Sequence, residues 1–216
     1  MSARTIVHLM RHGEVHNPTG VLYGRLPEFY LSDLGHQMAA RAADFLSKNE
    51  IRHVVASPLE RAQQTAEPLA KILDAPITTD DRVIEADNLF EGHTVGAGPK
   101  AFRHPKNWWK LRNPFRPSWG EPYADIAARM QAAIADAREA ARGHEAVIVS
   151  HQLPVWIARQ AYEQNSYVHD PRKRQCTLAS ITSLTFDGDD YVGFTYAEPA
   201  ADLLPQELKG QFTGGA

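Results

Sequence analysis

Cysteine is almost missing from this chain. Cys176 is the one thiol among 216 residues, so an internal disulfide is excluded and a reducing, cytoplasmic setting is expected. Long apolar runs are missing as well. None approaches the ~18–20 residues that a membrane helix needs, and residues 1–5 lead straight into Ile6-Val7, leaving no room for a signal peptide. The expectation is therefore a protein with no membrane partner. Excess positive charge is also lacking: 23 Lys+Arg stand against 26 Asp+Glu, for a net charge of −3 with histidine neutral. That balance argues against a nucleic-acid partner and leaves anion binding to local clusters. No ligand spacing of the His-Glu-x-x-His type occurs, so neither metal nor cofactor is expected. Internal repeats and low-complexity tracts are absent.

What remains is an ordinary globular balance, 43% apolar and 23% charged, in a chain long enough for one domain with a proper core. Strand-like and helix-like segments alternate. Residues 5–10 read as a buried strand. Leu34, Met38, Ala42, Phe45 and Leu46 then recur at helical spacing behind Ser32, an N-cap. A second short strand covers 53–56. Ser57-Pro58-Leu59-Glu60 follows as a capping box, with Ser57 as cap, Pro58 at the first helical position and Glu60 closing the box. Its helix carries Leu59, Ala62, Ala66, Leu69, Ala70 and Leu73 on one face. A third helix is predicted over 123–142, stopped by Gly143. A third strand follows over 146–149, then a helix starting near Pro154. Strands over 177–186 and 191–197 are joined by a hairpin at Asp187-Gly188-Asp189-Asp190. This alternation predicts an α/β fold, a three-layer αβα sandwich around a mostly parallel sheet. Residues 1–198 form the single domain, with an insertion at about 93–121, and 199–216 form a flexible tail.

In such folds ligands bind at the carboxyl ends of the strands. The first strand ends in Arg11-His12-Gly13-Glu14, the second in Ser57 with Arg61 one helical turn on, and the third in Ser150-His151. Two histidines and two arginines thus meet at one crevice, which suits a phosphate. Arginine matches phosphate oxygens bidentately and keeps its charge. A neutral histidine is a competent nucleophile near neutral pH. Phosphoryl transfer needs mainly positioning and charge stabilisation.

The first of these blocks, with Asn17 three residues beyond it, resembles the signature of the histidine phosphatase superfamily, the phosphoglycerate mutase-like fold. Leu31-Ser32-Asp33-Leu34-Gly35 resembles the opening of that family's first helix. Ala56-Ser57-Pro58-Leu59-Glu60-Arg61-Ala62 with Thr65-Ala66 resembles its second motif, and Val149-Ser150-His151 its third. Together the blocks span roughly residues 5 to 165 in the family's order. The resemblance implies that His12 attacks phosphorus and becomes a phosphohistidine, its other ring nitrogen donating to a backbone carbonyl. It implies that Arg11, Arg61 and His151 clamp the phosphoryl oxygens, with a hydrogen bond from Asn17. A carboxylate must protonate the leaving alkoxide and later activate water. In Arg82-Val83-Ile84-Glu85-Ala86-Asp87-Asn88-Leu89-Phe90-Glu91-Gly92 that role falls to Glu85, with Asp87 and Glu91 as rivals. A neighbouring phosphate is expected to raise the Glu85 pKa.

Within residues 93–121, Lys100, Arg103, Lys106, Lys110, Arg112 and Arg116 are basic, and Trp108, Trp109 and Trp119 are three of the four tryptophans. A lid over the site is the expected role, with Trp108 and Trp109 stacking on substrate. Arg25 is a further binding candidate, because its loop can approach the phosphate. Arg172-Lys173-Arg174 reads as a solvated charged loop. The expected activity is hydrolysis of a small-molecule phosphate ester without metal. Phosphoglycerate mutase-type transfer and a non-catalytic phospho-ligand module are the alternatives. The mutase is disfavoured because Glu85 is followed by Ala86-Asp87-Asn88 rather than Arg-His-Tyr-Gly. A homodimer is the expected quaternary state.

Overall fold

A computed structural model describes residues 3–93 and 120–204. These form a six-stranded sheet in the order β3-β2-β4-β1-β5-β6. The strands are β1 (Arg4–Arg11), β2 (Ile51–Ala56), β3 (Ile77–Thr79), β4 (Glu145–Ser150), β5 (Ile181–Asp187) and β6 (Asp190–Ala197). β3, β2, β4 and β1 run parallel, while β5 and β6 close one side as an antiparallel pair. Central β4 is buried along nearly its whole length, as a strand covered on both faces must be. Its alternate residues serve different layers. Ala146 and Ile148 pack with α3 (Tyr123–Ala140) and α4 (Gln152–Tyr162). Val147 and Val149 pack with α1 (Asp33–Leu46) and α2 (Glu60–Leu73). The result is the expected three-layer αβα sandwich. Among the described residues no helix is long and apolar enough to cross a membrane.

Several local expectations hold. Ser32 caps α1, its Oγ accepting from the Gly35 amide at 3.0 Å. Gly143 takes φ +82° just after α3, and Asp187 pairs with Asp190 across the hairpin.

Others are corrected by tertiary contacts. Phe45 lies on the outside of α1, 53% exposed, because the buried stripe runs through Met38, Ala39, Ala42, Ala43 and Leu46. The capping box at Ser57 does not form, and α2 begins at Glu60. The Ser57 amide donates instead to Val149 O of β4 at 2.9 Å, its hydroxyl meets His151 Nε2 at 2.8 Å, and Glu60 Oε1 accepts from the Glu28 amide. α4 begins at Gln152, two residues before Pro154, a place where proline costs nothing because the first-turn amides have no helical acceptor. β5 begins at Ile181 rather than 177. The preceding turn puts Ala179 at φ +53° and directs its amide to His12 O at 3.2 Å. In the stretch expected as a tail, Ala200 is buried, Ala201–Leu203 form a 3-10 turn, and Leu203 and Leu204 pack against the α1–α2 core.

Candidate active site

The carboxyl ends of β1, β2 and β4 converge, because these strands are neighbours in the sheet and run the same way. β1 delivers Arg11 and His12. The His12 amide donates to Ser150 O at 3.0 Å, and the Arg11 amide to Ser180 O at 3.1 Å, so the strand end is held from both sides. The Gly13 amide donates to Thr65 Oγ1 of α2 at 3.1 Å, which locks the loop onto the helix that carries Arg61. Gly13 and Gly35 interlock backbone on backbone. A Cβ on Gly35 would stand 2.0 Å from Glu14 O, and one on Gly13 would stand 2.6 Å from Gly35 O. Gly35→Ala is therefore expected to destabilise the fold by about 1–3 kcal/mol, the usual cost of overpacking, as read by urea denaturation. A loss within experimental error would show that the two loops can separate freely.

His12, Arg11, Arg61, Glu85 and His151 are each at most 1% exposed. His12 Nδ1 lies 2.7 Å from Gly13 O. A carbonyl can only accept, so Nδ1 carries the proton and Nε2 presents its lone pair, buried and without a partner. Burial, then the positive charges of Arg61 and Arg11, hold the His12 pKa well below 6.5. The imidazole is thus neutral at pH 7, the state a nucleophile requires. The His151 ring stands 5.1 Å from that of His12. Its Nε2 is engaged by Ser57 while Nδ1 is unpartnered. Burial and the same cations depress its pKa as well.

Arg61 donates from Nη2 to Gly24 O and lies over the Tyr23 ring, 4.7 Å from its centroid, while its Nε and Nη1 have no partner. Arg11 Nη1 donates to Cys176 O at 2.8 Å. Tyr23 is 5% exposed and packs edge-on to His12. It forms the floor beneath Arg61, a role the sequence pattern did not signal.

The three candidate acids differ in burial. Asp87 is exposed. Glu91 accepts from the Arg25 amide at 2.8 Å. Glu85 alone of the three is buried; its Oε1 accepts from the Ala86 amide and its Oε2 is unpartnered. Its pKa is raised chiefly by desolvation, against the lowering influence of that amide, Arg61, Arg11 and Arg174. Burial is thus a cause of the rise in addition to the phosphate charge expected from sequence.

Arg25 braces this acid rather than reaching for phosphate. Its Nε donates to Glu85 O at 2.6 Å and its Nη2 to Glu121 Oε2 at 2.9 Å. Glu121 is gripped in turn by Arg129, which also donates to Arg82 O and Ile84 O. Asn17 is occupied locally, its amide group pairing with both backbone groups of Val21. Trp108 and Trp109, and with them the expected lid, lie outside the described residues. Arg174, read from sequence as part of a solvated loop, is instead half-buried, its Nε donating to His169 Nε2 at 2.7 Å and its Nη1 to Gln152 Oε1 at 3.3 Å. Among the described residues no group of three or more His, Cys, Asp or Glu side chains converges as a metal site.

Comparison with known proteins agrees with this geometry. The family model described as "Histidine phosphatase superfamily (branch 1)" matches residues 7–197. The uncharacterized protein Rv0525 of Mycobacterium tuberculosis is 56% identical over 201 residues, covering 93% of this chain and 100% of that protein. The structure of mycobacterial glucosyl-3-phosphoglycerate phosphatase Rv2419c superposes with a TM-score of 0.72 at 23% identity, covering 92% of this chain and 98% of the other. A phosphoglycerate mutase from Bacillus anthracis gives a TM-score of 0.71 at 18% identity, covering 94% and 96%. At these identities the last two likenesses establish the fold alone.

Proposed function

The chain belongs to the histidine phosphatase superfamily, and from that premise we propose that it hydrolyses small phosphomonoesters through a phosphohistidine on His12, without a metal. The observation that carries this reading is the buried, unpartnered lone pair of His12 Nε2, on a ring whose centroid stands 5.1 Å from that of His151, with further buried nitrogens on Arg61 and His151 also unpartnered. Binding alone would need no nucleophile held in one tautomer.

The ester's phosphoryl oxygens would take the unpartnered donors of Arg61, together with Arg11 and His151. Burial first, then the neighbouring cations, hold the His151 pKa well below 6.5; the negative charge of a bound phosphoryl group opposes both influences and favours a cationic His151 donor. His12 Nε2 attacks phosphorus in line, and the P–O bond to the leaving group breaks. Glu85, whose pKa burial raises, gives its proton to the departing alkoxide. As a carboxylate it then takes a proton from water, which attacks the phosphohistidine and releases inorganic phosphate. His12 and the protonated Glu85 are thereby restored. Burial and the guanidinium charges of Arg11 and Arg61 supply electrostatic stabilisation of the transferring group.

The test is to quench the enzyme during turnover of a radiolabelled phosphomonoester in excess EDTA. A label on His12 that survives alkali and is lost in acid is the expected result. EDTA-resistant turnover with no trapped label, under conditions where transfer outpaces hydrolysis, would overturn the mechanism. Loss of turnover in EDTA, restored by divalent metal, would overturn its metal independence.

A further inference from the structure

Glu85 sits in irregular backbone. It follows the 3-10 turn Asp81–Val83 and lies outside the strands and helices. Its carbonyl and those of its neighbours have no ladder to join and must find other partners. Two arginines from distant parts of the chain supply them. Arg129 of α3 donates from Nη1 to Arg82 O at 2.6 Å and to Ile84 O at 2.7 Å. Arg25 donates from Nε to Glu85 O at 2.6 Å. Val83 O is taken by the Ser150 hydroxyl of β4 at 2.7 Å. The backbone around the acid is thus held by side chains rather than by secondary structure.

Both guanidiniums converge on Glu121. Arg129 meets it as a fork, Nε to Oε1 at 2.8 Å and Nη2 to Oε2 at 3.0 Å, and Arg25 Nη2 reaches the same Oε2 at 2.9 Å. The Glu121 and Arg129 side chains are each 15% exposed, so their pairing is screened less than that of surface ions. Two neighbouring guanidiniums repel each other unless a carboxylate stands between them, and removing the shared partner leaves uncompensated charge. The Glu121 backbone adds a further contact, its amide donating to Asp87 O at 3.1 Å. Gly120 lets the two segments meet, since a Cβ there would stand 2.5 Å from Asp87 O. One residue therefore governs, directly or through its arginines, the carbonyls of Arg82, Ile84, Glu85 and Asp87.

The proposed phosphate clamp is fixed differently. Arg11 ends β1, His151 follows β4, and Arg61 belongs to α2. Gly24 O, which accepts from Arg61, adjoins Arg25, but the Arg25 amide has its own anchor on Glu91 Oε1 at 2.8 Å. Loss of the Glu121 charge should loosen the acid and spare the clamp.

We propose that Glu121 is a positioning residue for Glu85, acting through Arg25 and Arg129 to hold that carboxyl within reach of the departing oxygen. This rests on the phosphatase reading above, with Glu85 as its proton donor, and the experiment separates the two. Glu121→Gln keeps the shape of the side chain and removes its charge. Its kcat/KM for glycerol 3-phosphate should fall about 10–100-fold, since misplacing a catalytic group by about 1 Å can cost as much. The burst of p-nitrophenolate from p-nitrophenyl phosphate needs no proton and should keep its rate within about twofold. In the Glu85→Gln background the same substitution should have no further effect on glycerol 3-phosphate, because a residue that works through the acid then has nothing to work on. Arg25→Lys loses the Nε donor to Glu85 O and leaves the Glu121–Arg129 fork in place. It should show the same selective loss at smaller size, and it carries the test if Glu121→Gln does not fold.

Equal losses on both esters, or an undiminished loss on top of Glu85→Gln, would make Glu121 a general support of the fold and overturn the assignment. Unchanged kinetics on both esters would overturn it as well. If the wild type turns over no ester at all, the phosphatase reading falls, and amide hydrogen exchange decides the role of Glu121. The Ala86 amide, which donates to Glu85 Oε1, should exchange faster in Glu121→Gln than in wild type while the amides of α2 keep their rates. Equal protection at Ala86 in the two proteins would show that Glu121 does not hold the acid.

Discussion

Replacing His12 by alanine is expected to lower kcat for every phosphomonoester by about 10⁵-fold or more, while inorganic phosphate still binds. The two effects separate because different groups carry them. In the proposed mechanism the nucleophilic lone pair is that of His12 Nε2, whereas anion binding falls to Arg11, Arg61 and His151. The variant should fold, because the imidazole makes one side-chain hydrogen bond, to the adjacent Gly13 O. Its stability should also depend less on acid. In the folded wild type the His12 pKa is held well below 6.5, so below pH ~6.5 the unfolded chain takes up a proton that the folded chain refuses. Stability present above that pH is thus lost as pH falls toward the folded pKa. Without His12 that contribution disappears, and the drop in urea midpoint between pH 7.5 and 5.5 should shrink. A variant that folds, binds phosphate and still turns over ester would remove His12 from the mechanism.

Glu85→Gln should divide substrates by their leaving groups. An alkyl phosphate such as glycerol 3-phosphate needs a proton on the departing oxygen, so its kcat/KM should fall about 10²–10⁴-fold. p-Nitrophenolate leaves without a proton. Phosphorylation of His12 by p-nitrophenyl phosphate should therefore persist as a burst near one equivalent, followed by slow turnover, because the base for water is also gone. The pH profile gives a second readout. Loss of the Glu85 proton ends activity as pH rises through its pKa, which burial places above the ordinary 4.5. Protonation of His12 ends activity only well below 6.5. The alkaline limb seen with alkyl esters should vanish in the variant. Equal losses on both substrates with no burst would move the acid role to Asp87 or Glu91, despite the exposure of the first and the engagement of the second by the Arg25 amide.

These outcomes concern residues legible in the chain before any fold was known. Arg11, His12, Arg61 and His151 were found because each sits at a strand end or one turn beyond it. Strand ends are marked by local cues: a short apolar run, then polar residues. The same cues predicted the three layers, since alternation of periods reports which elements bury one face and which bury two. Ser32 was recognised as a cap because its hydroxyl serves an amide three residues away, within reach of local sequence logic.

Ser57 obeyed the same local logic and did something else. Its hydroxyl meets His151, 94 residues on, and no local pattern records that competition. Arg174 is the larger case. By itself a basic triplet predicts a solvated loop, and only the packing of that loop against Tyr123, His169 and Gln152 turns one of its cations inward. The difference in burial that sets Glu85 apart from Asp87 and Glu91 is likewise a property of the whole fold.

The sequence by itself therefore determined the fold class and the strand ends at which Arg11, His12, Arg61 and His151 meet, because local periodicity encodes them; the roles proposed for these residues came from the family resemblance. The tertiary structure alone decided which acid is buried, which hydroxyl serves a histidine rather than a helix, and which arginine of the basic triplet is hydrogen-bonded to His169 and Gln152. Those properties are set by neighbours distant in the chain, through desolvation and unsatisfied hydrogen bonds.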